Sequence, residues 1–281
     1  MKTLFLHFLI FCSFTLALMS CGNDTKIAKD NNILFDSLLV NETYHMMNVE
    51  TNPSCSLRIK FTYPVKFSDK EILNKLQQQF IVCYFGEDYA NKTPQDASMK
   101  YLQKYINDFK LQEEDFLIDQ QNHQDDPNES LYSNYEILNN DIIYNQNNLI
   151  SFVVNRVYYK GGAHDAHSYM NYVIDLKTGK RIFENDIFID DYKEDLANII
   201  VHEIVLKNNV TKADDLENMG FFDVKEIYPN KNFYVDNEGI NYTFNEFDIA
   251  AYIIGPVYVH IPYERIRHLL RDESPISNIA F

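Results

Sequence analysis

The chain has 281 residues, with 25 Lys and Arg against 41 Asp and Glu and a formal charge of −16. So acidic a surface repels nucleic acid and bare anionic membrane and favours cationic partners. Apolar content of 46%, with 20 Phe and 20 Tyr, is ample for a packed core and excludes a chain disordered as a whole.

Lys2 precedes an almost unbroken apolar run over residues 4–18, and Leu18-Met19-Ser20 then leads into Cys21-Gly22. The run is shorter than the ~20 residues a transmembrane helix needs. The order of charge, short apolar core, small residue and Cys resembles a bacterial lipoprotein signal, with plain secretion as the alternative. The expectation is cleavage before Cys21 and lipid on its thiol, since two or more acyl chains hold a protein stably on a membrane. Gly22 rather than Asp follows Cys21, so nothing argues for inner-membrane retention and the outer membrane is expected. Without residues 1–20 the chain keeps 24 basic and 41 acidic residues, a charge of −17.

Residues 21–32 are polar and read as a flexible tether. Strands are predicted over residues 35–46 and 55–63, the second alternating through Leu57, Ile59 and Phe61. Ser68 as N-cap with Glu71 three residues on forms a capping box. It opens a helix with Ile72, Leu76, Phe80 and Cys83 on one face. Thr93-Pro94 opens a second helix with Leu102, Tyr105, Ile106 and Phe109 as its buried stripe. The polar stretch 119–130, which contains Pro127, is expected to be a linker or loop. Cys55 and Cys83 are the two thiols left after Cys12 and Cys21, and in an oxidising compartment they could form one bridge.

A long strand is predicted over 149–159, broken by Gly161-Gly162, and another over 168–176, turned by Lys177-Thr178-Gly179-Lys180. An amphipathic helix spans 191–208 with Leu196, Ile199, Ile200 and Ile204 inward. Phe233 and Val235, then Asn237-Glu238-Gly239, then Ile240, Tyr242 and Phe244 read as a hairpin; Val257, Val259 and Ile261 form a last strand and 263–271 a closing helix. The fold class expected is α+β, antiparallel sheets with a few packed helices in two sequential subdomains, residues 33–148 and 149–281.

One segment crowds ionisable side chains around a glycine turn: Lys160-Gly161-Gly162-Ala163-His164-Asp165-Ala166-His167. His164, Asp165 and His167 could ligate a metal and serve a hydrolase. Their spacing is poor for it, because i and i+3 lie on opposite faces of a strand and no HExxH or comparable third ligand is nearby. No metal or cofactor is therefore expected. No GxSxG, P-loop, GxGxxG or SxxK is present either. Tyr158, Tyr159, Tyr169, Tyr172, Tyr252 and Tyr258 cluster near this turn, where rings can recognise proteins or sugars, although alternation sends most to the core or its rim.

Three pieces taken together carry a family resemblance: Tyr158-Tyr159-Lys160-Gly161-Gly162-Ala163-His164; residues 172–180; and residues 247–255 leading to Val259-His260-Ile261-Pro262-Tyr263. Over residues 155–270 they resemble the extracytoplasmic domain shared by RsiV-type lysozyme-sensing anti-sigma factors and the non-catalytic part of PdaC-type peptidoglycan deacetylases. Residues 33–148 look like the companion domain that precedes it. An anti-sigma factor also needs a sigma-binding segment and a spanning helix, and a deacetylase needs a separate catalytic domain. Neither is expected in a chain that starts with a cleavable signal and has 261 residues after it. The resemblance implies a non-enzymatic binding module whose ligand is a cationic protein such as lysozyme, or cell-wall glycan. Tyr159, Gly161, Gly162, His164 and His167 would do the binding. A scaffold lipoprotein with an envelope protein partner is the other alternative.

Overall fold

The computed structural model describes residues 29–122 and 131–280. The signal, Cys21 and residues 123–130 of the expected linker lie outside the described residues. A six-stranded sheet is built from β1 (Leu34–His45), β2 (Ser54–Lys66), β3 (Asn134–Gln146), β4 (Leu149–Lys160), β5 (Ala166–Asp175) and β6 (Lys180–Arg181), in that order across the sheet. Between β2 and β3 run α1 (Lys70–Phe85), α2 (Pro94–Lys110) and α3 (Glu113–Asn122). This long crossover makes β2 and β3 parallel neighbours, so one junction departs from the antiparallel expectation. Parallel strands need a connection of that length, whereas antiparallel ones close with a tight turn. After β6 come α4 (Glu184–Ile187), α5 (Lys193–Lys207) and a three-stranded antiparallel sheet of β7 (Phe233–Val235), β8 (Gly239–Phe244) and β9 (Val257–Pro262), then α6 (Tyr263–Ile266) and α7 (Ser277–Ala280).

The period-2 pattern of β4 and β5 explains how the layers stack. Ile150, Phe152 and Val154 with Tyr172 and Ile174 face α1 and α2, where Phe80 stacks on Phe152 with ring centroids 4.2 Å apart. The alternate residues Leu149 and Val173 belong to the core that also holds Val235, Ile240, Tyr242 and the α5 residues Leu196, Ile200 and Ile204. Strands covered on both faces read as continuous apolar runs, which is why β4 begins Leu-Ile-Ser-Phe-Val-Val.

The expected boundary at 148/149 falls inside the β3–β4 hairpin. Gln146 pairs with Leu149, and Asn147 and Asn148 form the two-residue turn with φ of 56° and 62°. Asn tolerates that left-handed conformation at both turn positions, as this hairpin type demands. The two layers divide after β6 instead, and β4 and β5 serve both cores.

Several local expectations change. The cap of α1 is Asp69, whose Oδ1 accepts from Glu71 N at 2.9 Å and Ile72 N at 3.1 Å, not Ser68. Residues 119–122 of the expected linker finish α3. The closing helix is a single turn, α6, followed by a 3-10 turn over Arg267–Leu269. Residues 29–31 of the expected tether are instead fastened to the β3–β4 turn: Asn147 N donates to Lys29 O at 2.8 Å and Asn148 N to Asn31 Oδ1 at 2.8 Å, while residues 21–28 lie outside the described residues. Cys55 and Cys83 are both free thiols in different clusters, so the bridge that the sequence left possible is not formed. Cys55 packs with Met46, Phe109 and Phe116 beneath α2 and α3, while Cys83 on α1 borders the main helix-facing core. Among the described residues, no helix is long and apolar enough to cross a membrane.

Candidate functional site

The β4–β5 connection is bent by two glycines. Gly161 has φ of 75°, and a Cβ placed there would stand 2.4 Å from Leu131 O, so only glycine fits without the chain moving. The turn is closed by Tyr159, whose hydroxyl accepts from Gly162 N at 3.1 Å and donates to Gly162 O at 2.9 Å. Tyr159 in turn stacks on Tyr135 of β3 at 5.8 Å.

His164 and His167 turn out to share one end of the molecule. Strand β5 begins only at Ala166, so His164 lies in the loop before it and strand alternation does not separate the pair. His164 stacks on Tyr252 with centroids 4.1 Å apart and ring planes 19° from parallel; Tyr252 stacks in turn on Phe247 at 5.6 Å. His167 faces the small sheet, where its Nδ1 meets Glu246 Oε1 at 2.9 Å and its backbone N donates to Glu246 Oε2 at 3.3 Å. Asp165 accepts from Tyr135 OH at 2.9 Å. This one bond lifts the Tyr135 hydroxyl above its ordinary value, because the Asp165 carboxylate favours the protonated phenol, with burial adding to it.

One column along β5 ties this loop to the core. Val173 is in the apolar interior, Asn171 bonds Asn232 and Thr243, Tyr169 N donates to Asn245 Oδ1 at 2.7 Å, and His167 closes the row at Glu246. The turn that follows, residues 245–248, holds Phe247 at φ of 65°. A bulky side chain in the left-handed region is strained backbone, and such outliers gather where function requires them. Phe247 is 59% exposed and Ile253 next to Tyr252 is 89% exposed. An apolar patch thus stands beside the carboxylates of Asp165, Glu246 and Asp248. Of the tyrosines singled out, Tyr172 is buried and Tyr258 exposed.

The three donors His164, Asp165 and His167 are occupied differently from a metal centre. His164 Nδ1 is bonded to Asp165 O at 2.8 Å, and His167 Nδ1 is held by Glu246. Among the described residues, no group of three or more His, Cys, Asp or Glu side chains is arranged to hold a metal ion.

Sequence reasoning found His164, His167, Tyr159 and both glycines. It missed Tyr135, Glu246 and Phe247 as parts of this site, because 79 residues separate His167 from Glu246. It also missed a buried ion pair on the other face of the sheet. There Glu136, 2% exposed, receives Arg156 Nε at 3.0 Å and Nη2 at 2.8 Å, together with the Tyr101 hydroxyl. The signal was available: Glu136 occupies a core-facing position of an alternating strand, next to Leu138.

The fold and the site define an α+β module of two stacked sheets with an aromatic and acidic end, of the kind found in an extracytoplasmic domain family of unknown function. The model for "Protein of unknown function (DUF3298)" matches residues 185–264, and that for "Deacetylase PdaC" matches residues 50–167. A DUF3298 family crystal structure from Bacteroides fragilis is 32% identical, with 90% of this chain and 99% of that chain covered at a TM-score of 0.84. The chain belongs to the DUF3298 family. A second family structure, from Pseudomonas aeruginosa, shares the fold at 12% identity, covering 86% of this chain and 96% of its own, with a TM-score of 0.55. No curated protein matches. The two matched stretches fall on either side of β6, in keeping with the division between the layers.

Proposed function

We propose that this protein is a lipid-anchored, non-enzymatic binding module of the bacterial envelope, held in the outer membrane through Cys21, that captures a cationic protein such as lysozyme. The observation that carries the reading is Phe247, an exposed aromatic kept in a strained backbone conformation and stacked through Tyr252 onto His164. Exposed aromatic anchors ringed by charge are what tight protein interfaces are built on. Asp165 and Asp248 supply the negative rim, and the net charge of −16 steers a basic partner toward it. Lys29, where the fastened stretch begins, stands eight positions after Cys21, a reach of at most about 30 Å from the lipid.

Calorimetric titration with lysozyme at about 20 mM and about 300 mM salt tests the reading, since screening over the shorter Debye length weakens rim electrostatics. The expected result is binding that weakens with salt and is lost with Phe247→Ala. No heat at either salt removes the lysozyme reading. Cell fractionation of Cys21→Ala tests the anchor, because a variant that still pellets with membrane is held by something other than lipid at Cys21.

A further inference from the structure

The six-stranded sheet ends differently on its two sides. At β5, where β6 covers only Ile174 and Asp175, side chains close the edge. Tyr169 N donates to Asn245 Oδ1 at 2.7 Å, Asn232 Nδ2 donates to Tyr169 O at 2.8 Å, and Asn171 N donates to Asn232 Oδ1 at 2.7 Å. Strand β1 lies at the opposite end. Ser37 faces Thr62 across the β1–β2 ladder, yet Thr62 N and O are both taken by the Asn140 side chain on the β3 side. Directly opposite residues of an antiparallel pair exchange both bonds or neither. Ser37 and its alternates Leu39, Asn41 and Thr43 therefore turn their backbone N–H and C=O away from β2. Asp36 Oδ1 accepts from Ser37 N at 2.8 Å. The backbone groups of Leu39, Asn41 and Thr43 have no partner among the described residues. All three residues are exposed, Leu39 by 73%. Free edges are ordinarily blunted by shortness, proline or lysine, whereas β1 has 12 residues and neither proline nor lysine.

The group that fits such a row is another extended backbone, and its charge preference is set one strand further in. Leu57, Ile59 and Phe61 of β2 face the helices, so Arg58 and Lys60 stand on the other face, exposed and beside Asn41 and Leu39. Neither cation has a carboxylate partner among the described residues. On that face β1 itself presents only Ser37, Leu39, Asn41 and Thr43, because Asp36 and Glu42 alternate with them on the side of Leu38 and Val40. A strand added to β1 would run two strand spacings, about 10 Å, from β2. Lysine or arginine and a glutamate extended toward one another span that gap.

We infer that the free edge of β1 binds, by strand addition, an extended peptide segment carrying acidic side chains. Main-chain hydrogen bonds to Leu39, Asn41 and Thr43 supply the attachment, and Arg58 and Lys60 select the charge. A second copy of this chain fits poorly. Its β1 would bring no acid to those cations, and its net charge of −16 would add repulsion. The edge is separate from the patch around Phe247, and the inference does not depend on what that patch captures.

The test is calorimetric titration of the whole protein with an end-blocked heptapeptide alternating Val and Glu, and with its Val and Lys counterpart. The Glu peptide should bind and the Lys peptide should not. Arg58→Gln combined with Lys60→Gln alters two exposed side chains and should weaken the Glu peptide about five- to tenfold. Two further Glu peptides, N-methylated on either the Glu or the Val nitrogens, separate backbone pairing from plain charge attraction. Only one edge of the peptide meets β1, so one version should bind at least about tenfold more weakly than the other. Amide resonances of Leu39, Asn41 and Thr43 should shift during the titration. Silence with both peptides, equal affinity for Glu and Lys, or an unchanged affinity in the double variant would each overturn the inference. So would equal binding of the two methylated versions, or shifts confined to residues away from β1. A peptide-free protein that sediments as a dimer, with the Leu39, Asn41 and Thr43 amides already protected from exchange, would overturn it too, since a second copy would then hold the edge.

Discussion

Ser151 and Val235 join the two sheets by a reciprocal pair of hydrogen bonds: the Ser151 hydroxyl donates to Val235 O at 2.7 Å and accepts from Val235 N at 3.2 Å. Ser151 is wholly buried, so its hydroxyl satisfies two backbone groups that water does not reach. Ser151→Ala is expected to destabilise the protein by about 1–3 kcal/mol. Ser151→Thr should recover part of the loss in urea unfolding. A Ser151→Ala midpoint equal to that of the native protein would contradict this role.

Arg156→Met tests the buried pair on the other face. Removing the partner of a buried charge costs about 3–5 kcal/mol when both are fully buried. Here about 2 kcal/mol is expected, because the Arg156 side chain is 40% exposed and partly solvated. Adding Glu136→Gln to Arg156→Met should restore much of it. Thermal unfolding of the single and double variants gives the coupling directly.

Phe247 allows stability and binding to be separated. Asn tolerates the left-handed backbone better than Phe, and such strain costs about 1–2 kcal/mol per residue. Phe247→Asn is therefore expected to leave stability unchanged or raise it by up to about 1 kcal/mol, while lowering lysozyme affinity more than about tenfold. A variant that is destabilised and binds normally would reverse the assignment.

The alkaline limit of stability should lie with the buried tyrosines. Burial pushes the Tyr172 hydroxyl up to about 12, with nearby Cys83 adding and Arg181 opposing. Its unfolded value is near 10, so the neutral phenol's contribution is complete below about pH 10 and is lost as pH rises from about 10 to about 12. Tyr84, Tyr101 and Tyr263 are raised in the same direction by burial first. Tyr172→Phe should shift alkaline unfolding, followed by circular dichroism, to higher pH. An unchanged or lower transition would count against this account.

Gly161→Ala should cost about 1–2 kcal/mol from its left-handed backbone alone, with more from the contact with Leu131 O. Hydrogen exchange of the 161–167 amides should rise more than that of β4.

Much of this architecture is legible in the chain because burial alternates cleanly. Leu57, Ile59 and Phe61 revealed β2, and Ile72, Leu76 and Phe80 revealed the inner face of α1. Strand β3 escaped notice for a chemical reason: its inward residues include Glu136 and Asn140, each satisfied by a partner rather than by apolar packing. The same substitution of hydrogen bonding for hydrophobicity hid the Glu136–Arg156 pair. The glycine turn drew attention through its own residues, but the groups that give it chemical character arrive from residues 245–252 and from β3. Short-range pattern carries no information about such pairings.

Strands β4 and β5 give one face to each core, and this sharing has a consequence for anyone wishing to cut the protein in two. Severing the backbone near residue 182 would strip half of a common seam from each fragment, baring Leu149 and Val173 on one and Val235 and Ile240 on the other. Neither fragment should be well behaved alone, yet produced together they should find one another in trans. The DUF3298-matched stretch is in that sense half of a self-complementing pair rather than a portable unit.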